Sequence, residues 1–479
     1  MAEQTLKEKT AKGLFWGGIS NGMQQLLGVL IGIVLLKNLT PDDYGMVGML
    51  AIFTAIASTI QESGFTAALT NRPEFKAEDY NSVFWFNLVV GSVIYVFLFF
   101  SAPLIAHFYK QPELILLSRV LFLSIVIGTL GIAHNAFLFK QLMVKERAKI
   151  DIFSTLISGV FGIILALKGF GYWALAVQTL VASSMGTILR WYFSPWRPSF
   201  SFNFKPIKEM FSFSVKLLVS NVVNVVQNNI FSILLGRYYS KDILGYYTQG
   251  SKWGIMGGQM IYGMIFNVTQ PMLVEVQGNR ERQLGIFRKL LRCISFIACP
   301  LLIGLAFVAK EFIQIINSEF LPSILVLQIY CLIALVSAFQ WLYVQTSIAL
   351  GRSDFYGYAT LFYAVIQILA CIFVLSSGIY WLALTVLLLN CANLFVWHCF
   401  LNRILGVKFV YLIKDIFPYL LITMFVFILV WLITFKINDL FLLFISKIVL
   451  SMILYIFILW MSNSVLFKEM IRFVLKNKY

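Results

Sequence analysis

Charged residues are scarce in this 479-residue chain, since Asp, Glu, Lys and Arg together make up 12% of it. A soluble domain carries roughly 25% charged residues, because its surface must face water. Hydrophobic residues instead make up 60% of the chain, and the mean hydropathy is +0.86. The shortage of charge excludes an ordinary cytosolic enzyme, a disordered chain and a secreted disulfide scaffold. It leaves a membrane protein that crosses the bilayer many times.

Histidine and cysteine are also rare, with three and six copies, and they are scattered along the chain. No two cysteines form a C-x-x-C pair, so the sequence has neither a zinc-site spacing nor a disulfide framework. It also has no Walker-type loop and no nucleophile–base pair. We therefore expect no metal, no cofactor and no catalytic residue, and we do not expect an enzyme.

Fourteen mainly apolar stretches are long enough to cross a bilayer, for which a helix needs roughly 20 residues. Their approximate limits are 14–36, 44–69, 81–108, 114–139, 150–168, 171–193, 210–235, 244–272, 288–309, 320–350, 356–377, 379–402, 414–435 and 440–461. The sequence therefore predicts an all-α polytopic membrane protein with about 14 transmembrane helices.

Positive charge is distributed unevenly between the two ends of these spans. The chain has 37 Lys and Arg against 21 Asp and Glu, an excess that would suggest nucleic acid in a soluble protein. If we place the N-terminus on one face of the membrane, 26 of the 37 fall on that face, which we call the basic side. Seven fall on the opposite side, and four fall inside spans. Because positive loops stay in the cytoplasm, we expect both termini to be cytoplasmic and expect no nucleic-acid partner.

One basic run stands at the start of the ninth span. Its residues are Arg280, Arg282, Arg288, Lys289 and Arg292. Basic clusters beside a span orient it and attract anionic lipid headgroups. We therefore expect membrane lipids among the partners of this protein.

The chain contains an internal repeat at a shift of 200 residues. The matching pairs are Ser20-Asn21 with Ser220-Asn221, Leu35 with Leu235, Lys37 with Arg237, Thr40 with Ser240, Asp42 with Asp242, and Gly45 with Gly245. The register has no gap, and it aligns the first span and its loop with the seventh. Because six spans separate the copies, both halves enter the membrane from the same side. Such parallel repeats are common in transporters, with the substrate path between the halves.

The loop after the first span carries a resemblance to a known family. Its residues Leu39-Thr40-Pro41-Asp42-Asp43-Tyr44-Gly45 are similar to the pattern L-x-P-x-x-[FY]-G of Wzx-type O-antigen and exopolysaccharide flippases. Further matches are Ser63-Gly64-Phe65 and Asn71-Arg72. In span count and repeat, nearly the whole chain resembles the polysaccharide-transporter branch of the multidrug/oligosaccharidyl-lipid/polysaccharide exporter superfamily.

The resemblance implies an architecture and a substrate. It implies two parallel-repeat six-helix lobes, residues 1–200 and 201–410, followed by two C-terminal helices and a cytoplasmic tail in 411–479. Such proteins move undecaprenyl-pyrophosphate-linked oligosaccharide repeat units to the outer leaflet of the bacterial cytoplasmic (inner) membrane. Their lobes alternate between inward-open and outward-open states, around a central cavity lined largely by spans 1, 2, 7 and 8.

The resemblance also implies pathway partners. The polymerase and glycosyltransferases that make the same glycan would act beside the lipid-linked oligosaccharide carrier. The sequence leaves the source of energy open among a proton gradient, a sodium gradient and consumption of the flipped product.

Five charged residues lie inside predicted spans, where a charge costs at least ~2.5–3.5 kcal/mol at the helix centre. They are Glu62, Arg119, Lys216, Lys252 and Lys447. Three of them lie on spans assigned to the cavity, where cations would balance a diphosphate. We take Glu62, Arg119, Lys216 and Lys252 as candidate cavity residues. Because none sits at the midpoint of its span, snorkelling to the interface is the alternative.

Amide side chains form two stripes on the first and seventh spans. The stripe residues are Asn21, Gln24 and Gln25 on span 1, and Asn221, Asn224, Gln227 and Asn228 on span 7. Spacings of three, four and seven place each set on one helical face. Because the repeat makes the sets equivalent, we expect them to face each other across a wet substrate cavity. The alternative is hydrogen bonding between packed helices.

Three other functions compete with the flippase. A cation-coupled drug exporter of the same superfamily would usually stop at twelve spans. A membrane glycosyltransferase or polymerase would need a sizeable outer loop with a catalytic carboxylate or arginine cluster, and no loop here exceeds about twenty residues. An inert scaffold would leave the charges inside spans unexplained.

Overall fold

The computed structural model describes residues 6–62, 77–276, 278–462 and 467–468. Within these ranges the chain folds into helices, and no β-strand occurs. Fourteen of the described helices have 19 or more residues, and each overlaps one predicted span. They are α1 (Leu6–Asn38), α2 (Pro41–Glu62), α3 (Ala77–Tyr109), α4 (Leu114–Lys140), α5 (Val144–Leu167), α6 (Tyr172–Phe193), α7 (Phe204–Tyr238), α8 (Lys241–Glu275), α9 (Arg280–Ala298), α10 (Ser323–Ala349), α11 (Ser353–Val374), α12 (Ile379–Leu405), α13 (Phe409–Thr434) and α14 (Leu440–Met461). The predicted all-α polytopic fold is confirmed.

Twelve of the described helices are long and apolar enough to cross a membrane. The search covers only the described residues, and the two predicted spans that it does not include are α7 and α8, which have 35 residues each. Both carry several amide side chains, and Lys216 and Lys252 lie on them. Polar residues at this density are stable inside a bilayer when they face water or other protein groups. These two amide-bearing helices are the seventh and eighth spans, which the repeat and the resemblance assign to the cavity.

The ninth span is interrupted by a π-helical turn. The helix α9 runs into the π-turn Cys299–Ile303 and then into the short helix Gly304–Phe307. Pro300 lies in this turn, and proline has no N–H and clashes with the carbonyl four residues earlier in a regular helix. The wider π-turn accommodates it without ending the span. A further short helix, Ala309–Ile316, follows.

The helices divide into two compact units, Met1–Gly245 and Tyr246–Tyr479. The first unit keeps α7, because α7 packs along α2. The predicted division into 1–200, 201–410 and 411–479 follows the repeat rather than this packing, and it stays a prediction.

Small residues let the helices of the first unit approach closely. A Cβ atom on Gly159 of α5 would lie 2.2 Å from Cδ1 of Ile31 on α1. Likewise, a Cβ on Gly162 would lie 3.1 Å from Cβ of Gln178 on α6. Glycine at such positions brings the backbones together, which is how helices gain packing energy in lipid. Glycines at these two positions therefore allow α5 to pack closely against α1 and α6.

The second unit has one apolar core, built mainly from α9, α10, α12 and α13. Phe287, Leu342, Tyr343 and Trp397 are almost completely buried in it. The rings of Phe287 and Tyr343 meet edge to face, with centroids 5.1 Å apart. Aromatic pairs in this geometry contribute about 0.5–1.5 kcal/mol beyond the burial of their area. The helix α14 joins this core through Tyr455 and Leu459.

Candidate substrate path

In the stripe on α1, one amide side chain is exposed and the other two are half-buried. Asn21 is exposed, whereas Gln24 and Gln25 are half-buried. Gln24 donates from Nε2 to Oγ of the buried Ser20 at 3.1 Å. Asn21 is therefore the stripe residue of α1 that is most open to a ligand.

The stripe on α7 has the same arrangement. Asn221 and Asn228 are exposed and lie two helical turns apart on one face. Asn224 and Gln227 are half-buried beside them. The wet cavity and the facing of the two stripes both stay predictions.

Lys252 lies on the accessible face of α8. Its side chain is exposed, as are Ile255, Gln259 and Gly263, which follow on the same face. Trp253 points the other way and packs its ring edge to face on Phe312, with centroids 5.1 Å apart. Lys252 makes no hydrogen bond and no ion pair with a described residue. A cation in this position is available to an anionic ligand.

Two predicted site residues lie outside what the structure describes. Lys216 of α7 and Glu62 at the end of α2 belong to helices, and their side chains fall outside the described residues. Their roles stay predictions from the sequence.

Arg119 of α4 contacts Phe99 on the neighbouring helix α3. Its Nε donates to the carbonyl oxygen of Phe99 at 3.4 Å, and its guanidinium carbon lies 4.3 Å from the centre of the Phe99 ring. These contacts give Arg119 a packing role between α3 and α4. These contacts do not test whether Arg119 lies on the substrate path, and that role stays a prediction.

The two copies of the sequence motif meet each other, which sequence reasoning missed. A Cβ on Gly45 would lie 1.9 Å from the carbonyl oxygen of Lys241, and a Cβ on Gly245 would lie 1.9 Å from that of Pro41. These two contacts are equivalent under the 200-residue shift. We call this reciprocal backbone contact between the starts of α2 and α8 the glycine contact. A side chain at either glycine would separate the two helices. The recurrence of Gly45 as Gly245 in the repeat is the sequence feature that could have predicted this contact.

An ion pair and a helix cap surround the glycine contact. Lys241 Nζ lies 3.1 Å from Oδ2 of Asp42, and the hydrogen bond from Lys241 to Asp42 raises the pKa of the Lys241 ammonium. Thr40 donates from its backbone N–H and its hydroxyl to Oδ2 of Asp43, at 2.9 and 2.8 Å, and so caps α2. Both side chains of the ion pair are more than a third exposed, so the pair contributes no more than about 1 kcal/mol. The close packing at the two glycines, rather than the ion pair, determines how closely α2 approaches α8.

The charge of Lys447 has a buried partner. Lys447 Nζ of α14 lies 2.7 Å from Oε1 of Glu311 on the short helix Ala309–Ile316. The exposed fractions of the two side chains are 9% and 7%, and the ammonium lies 4.5 Å from the centre of the Phe307 ring. The sequence alone did not predict this pairing. The lysine is therefore held in the protein rather than offered to a ligand.

Two of the three histidines, His134 and His398, lie against aromatic rings. His134 stacks on Trp191 with centroids 4.4 Å apart, and the hydroxyl of Tyr343 lies 3.1 Å from Nδ1 of His398. Over the part of the chain that the structure describes, no group of three His, Cys, Asp or Glu is placed to hold a metal ion.

Comparison with known proteins decides the family. Residues 34–325 match a family described as polysaccharide biosynthesis protein. The chain belongs to this family. The teichuronic acid biosynthesis protein TuaB of Bacillus subtilis (strain 168) is 27% identical over 73% of this chain and 73% of its own length. The lipopolysaccharide biosynthesis protein WzxC of Escherichia coli (strain K12) is 25% identical over 69% of this chain and 68% of its own length.

A solved structure supports the fold. The lipid II flippase MurJ, in an inward closed conformation, covers 96% of this chain and all of its own chain with a TM-score of 0.74. The two chains are 14% identical, so the likeness concerns the fold.

Membership in the polysaccharide biosynthesis family confirms the resemblance that the motif of Leu35–Gly45 carries. The matched residues begin at this motif and include its second copy in α7 and α8. The protein is a polytopic membrane protein of this family, with twelve described helices long and apolar enough to cross a membrane.

Proposed function

We propose that this protein flips undecaprenyl-pyrophosphate-linked oligosaccharide repeat units across the bacterial cytoplasmic membrane for surface polysaccharide synthesis. One observation carries the proposal beyond the family. Two adjacent helices expose polar side chains of the kind that a glycan and its diphosphate need: α7 exposes Asn221 and Asn228, and α8 exposes Lys252 and Gln259. A glycan needs such a surface, because its hydroxyls lose water in the membrane and require hydrogen-bonding partners.

The amides and the cations have separate tasks in this function. Asn221 and Asn228 expose donors and acceptors on one face of α7, which suits sugar hydroxyls. Lys252, together with Lys216, supplies positive charge to the diphosphate, which cannot cross hydrocarbon bare. The grip must stay modest, because a tightly held substrate would not leave.

Alternating access supplies the movement. The glycine contact joins the ends of α2 and α8 that the charge distribution puts on the opposite side of the membrane. In our proposal this contact closes the outer exit while the substrate enters from the basic side, and it separates when the substrate leaves. A proton or sodium gradient, or consumption of the product by the polymerase, drives the cycle in one direction.

The experiment is complementation of a flippase-deficient strain with the full chain. We expect surface polysaccharide to return and the lipid-linked repeat unit to stop accumulating. Restored drug resistance without polysaccharide would identify a drug exporter instead. A purified protein that elongates or polymerises the glycan would identify an enzyme. Either result overturns the proposal.

A further inference from the structure

Three exposed residues recur every seven positions along α8. They are Lys252, Gln259 and Phe266. Seven residues make nearly two turns of an α-helix, so the three side chains lie on one face. Polar side chains inside a membrane face water or other protein groups rather than lipid. Phe266, which is 44% exposed, is therefore an aromatic ring on the polar face of α8.

The helix α10 brings a second ring beside Phe266. The ring centroids of Phe266 and Trp341 lie 4.9 Å apart, and the two ring planes are inclined at 50°. Trp341 is half-buried and packs on the apolar core of the second unit. We call these two rings the aromatic ledge. Because the core supports Trp341 and Trp341 contacts Phe266, the aromatic ledge is formed without a ligand.

Glycines bring α8 and α10 close enough for the two rings to meet. A Cβ on Gly250 would lie 2.8 Å from the carbonyl oxygen of Ser323, and a Cβ on Gly254 would lie 2.6 Å from Cβ of Tyr330. Small residues at such positions let the backbones of transmembrane helices approach closely. The packing of the first halves of the two helices therefore determines which side chains meet farther along them.

Hydrogen bonds flank the aromatic ledge along the helices. One turn before Phe266, the hydroxyl of Tyr262 donates to the carbonyl oxygen of Ala334 at 3.1 Å. One turn after Phe266, Nε2 of Gln270 donates to Oε1 of Gln345 at 2.7 Å. Gln345 is 2% exposed, whereas Gln270 is half-buried. An amide side chain has two N–H donors and an acceptor oxygen, so this bond leaves Gln270 with hydrogen-bonding capacity beside the rings.

Aromatic rings with an amide beside them match the chemistry of a sugar. One face of a pyranose ring consists mainly of C–H groups, and the negative face of an aromatic ring attracts their partial positive charge. The hydroxyl groups around the edge of the sugar need donors and acceptors, which amide side chains supply. A hydrocarbon chain would contact the rings and leave the amide without a partner. The combination therefore favours a carbohydrate over a lipid chain.

The position of the aromatic ledge on α8 determines which sugar reaches it. Phe266 follows Lys252 by 14 residues, which is ~21 Å along the helix axis at ~1.5 Å per residue. A sugar bonded directly to a diphosphate at Lys252 does not extend that far. The aromatic ledge therefore lies beside sugars that are farther from the diphosphate.

We propose that the aromatic ledge binds a sugar ring of the lipid-linked repeat unit beyond the first sugar, with Gln270 contacting its hydroxyl groups. This inference rests on the proposed function, and it adds a site that distinguishes one repeat unit from another. Lys252 contacts the diphosphate that all such substrates share, whereas Phe266 and Trp341 contact the part that differs among them.

The test measures binding to the full-length protein, purified in detergent. One probe is the lipid-linked repeat unit that accumulates in the flippase-deficient strain. The other is the same lipid with only its first sugar, from a strain that lacks the second glycosyltransferase. The rise in melting temperature with probe concentration gives an apparent affinity. Phe266→Leu and Trp341→Leu remove a ring and keep an apolar side chain, and the matched control is Phe373→Leu, at a ring of α11 that is 87% exposed.

We expect Phe266→Leu and Trp341→Leu each to weaken binding of the full repeat unit about two- to tenfold, the range that one aromatic contact contributes. Binding of the one-sugar probe should stay unchanged in both. Phe266→Tyr, which keeps a ring, and Phe373→Leu should bind both probes as the wild type does. Lys252→Ala should weaken binding of both probes, because they share the diphosphate.

The outcomes separate this inference from the proposed function. If both leucine variants bind the full repeat unit normally, or lose affinity equally for the two probes, the aromatic ledge is not a site for a distal sugar and the proposed function stands. Because Phe266 is exposed, its replacement leaves the core intact, so Phe266→Leu gives this answer even if Trp341→Leu does not fold. A wild-type protein that binds neither probe would contradict the proposed function and this inference with it.

Discussion

At the scale of single residues, the exposed cation of α8 gives the most direct test of the substrate path. We expect Lys252→Ala to lower export about ten- to a hundredfold while the protein accumulates normally, since one charge-assisted hydrogen bond contributes about 1.5–3 kcal/mol. Lys252→Arg should keep part of the activity, because charge matters more than shape here. The measurement is surface polysaccharide in the complemented strain, normalised to membrane protein.

The control for this prediction is Lys408→Ala, which removes an exposed lysine just before α13. It should leave export unchanged. Full activity in a Lys216→Ala/Lys252→Ala double variant would remove both lysines from the substrate path and leave only the amides of α1 and α7.

The glycine contact gives a second prediction for a single residue. In Gly45→Ala the new methyl group would lie 1.9 Å from the carbonyl oxygen of Lys241, so the backbones of α2 and α8 must move apart. Overpacking of this kind costs about 1–3 kcal/mol. We expect a lower melting temperature and a loss of export, and Gly245→Ala should behave alike because the contact is reciprocal.

The matched control is Gly285→Ala in α9, where a Cβ meets nothing within 4 Å. It should keep both stability and export. Normal export in Gly45→Ala and Gly245→Ala together would show that the glycine contact is not needed in the cycle.

At the scale of helices, the buried ion pair determines how α14 is held. Removing one partner leaves a buried charge without compensation, which costs about 3–5 kcal/mol. We therefore expect Lys447→Met and Glu311→Leu each to lower the melting temperature strongly and to expose α14 to proteases. The double variant Lys447→Met/Glu311→Leu should recover most of the loss, because two apolar side chains replace the pair.

This double-variant cycle measures the interaction itself. If the effects of the two substitutions simply add, the two side chains do not stabilise each other, and the ion pair is not what docks α14 on the short helix Ala309–Ile316.

Local patterns predicted the helices well, and they predicted tertiary partners poorly. Apolar runs located the fourteen spans because each run needs only its own neighbours to form a helix. The repeat related α7 and α8 to α1 and α2, since Asn221 and Gly245 match Asn21 and Gly45. The partner of Lys447 could not be predicted, because Glu311 lies 136 residues away and its place depends on how α14 packs. The approach of Gly45 to Lys241 depends on packing in the same way.

Arg119 is another charged residue whose contacts the sequence did not predict. Its rarity inside a span predicts a role on the substrate path, and in the structure its guanidinium lies against the ring and the carbonyl oxygen of Phe99. The sequence predicts that a charged side chain inside a span has a partner. Only the fold shows whether that partner is another residue or a ligand.

At the scale of the whole molecule, the charge split predicts how the protein sits in the membrane. Lys110 and Lys408 are both exposed and fall on the opposite side and the basic side, respectively. In a variant with the native cysteines replaced, Lys408→Cys should react only after the membrane is made permeable, and Lys110→Cys should react in intact cells. Equal labelling of both positions in intact cells would contradict the fourteen-span topology.

The transport cycle itself can be tested at the glycine contact. Alternating access requires the starts of α2 and α8 to part once in every cycle, and the ion pair between Asp42 and Lys241 spans that point at 3.1 Å. A cross-link between cysteines in an Asp42→Cys/Lys241→Cys variant should therefore stop export, and reduction should restore it. Breaking the ion pair has little effect of its own, since an exposed pair contributes no more than about 1 kcal/mol. The single-cysteine variants, treated with the same oxidant, should keep exporting. If the cross-linked protein exports at the wild-type rate, the contact stays closed throughout the cycle and the outer exit must lie elsewhere.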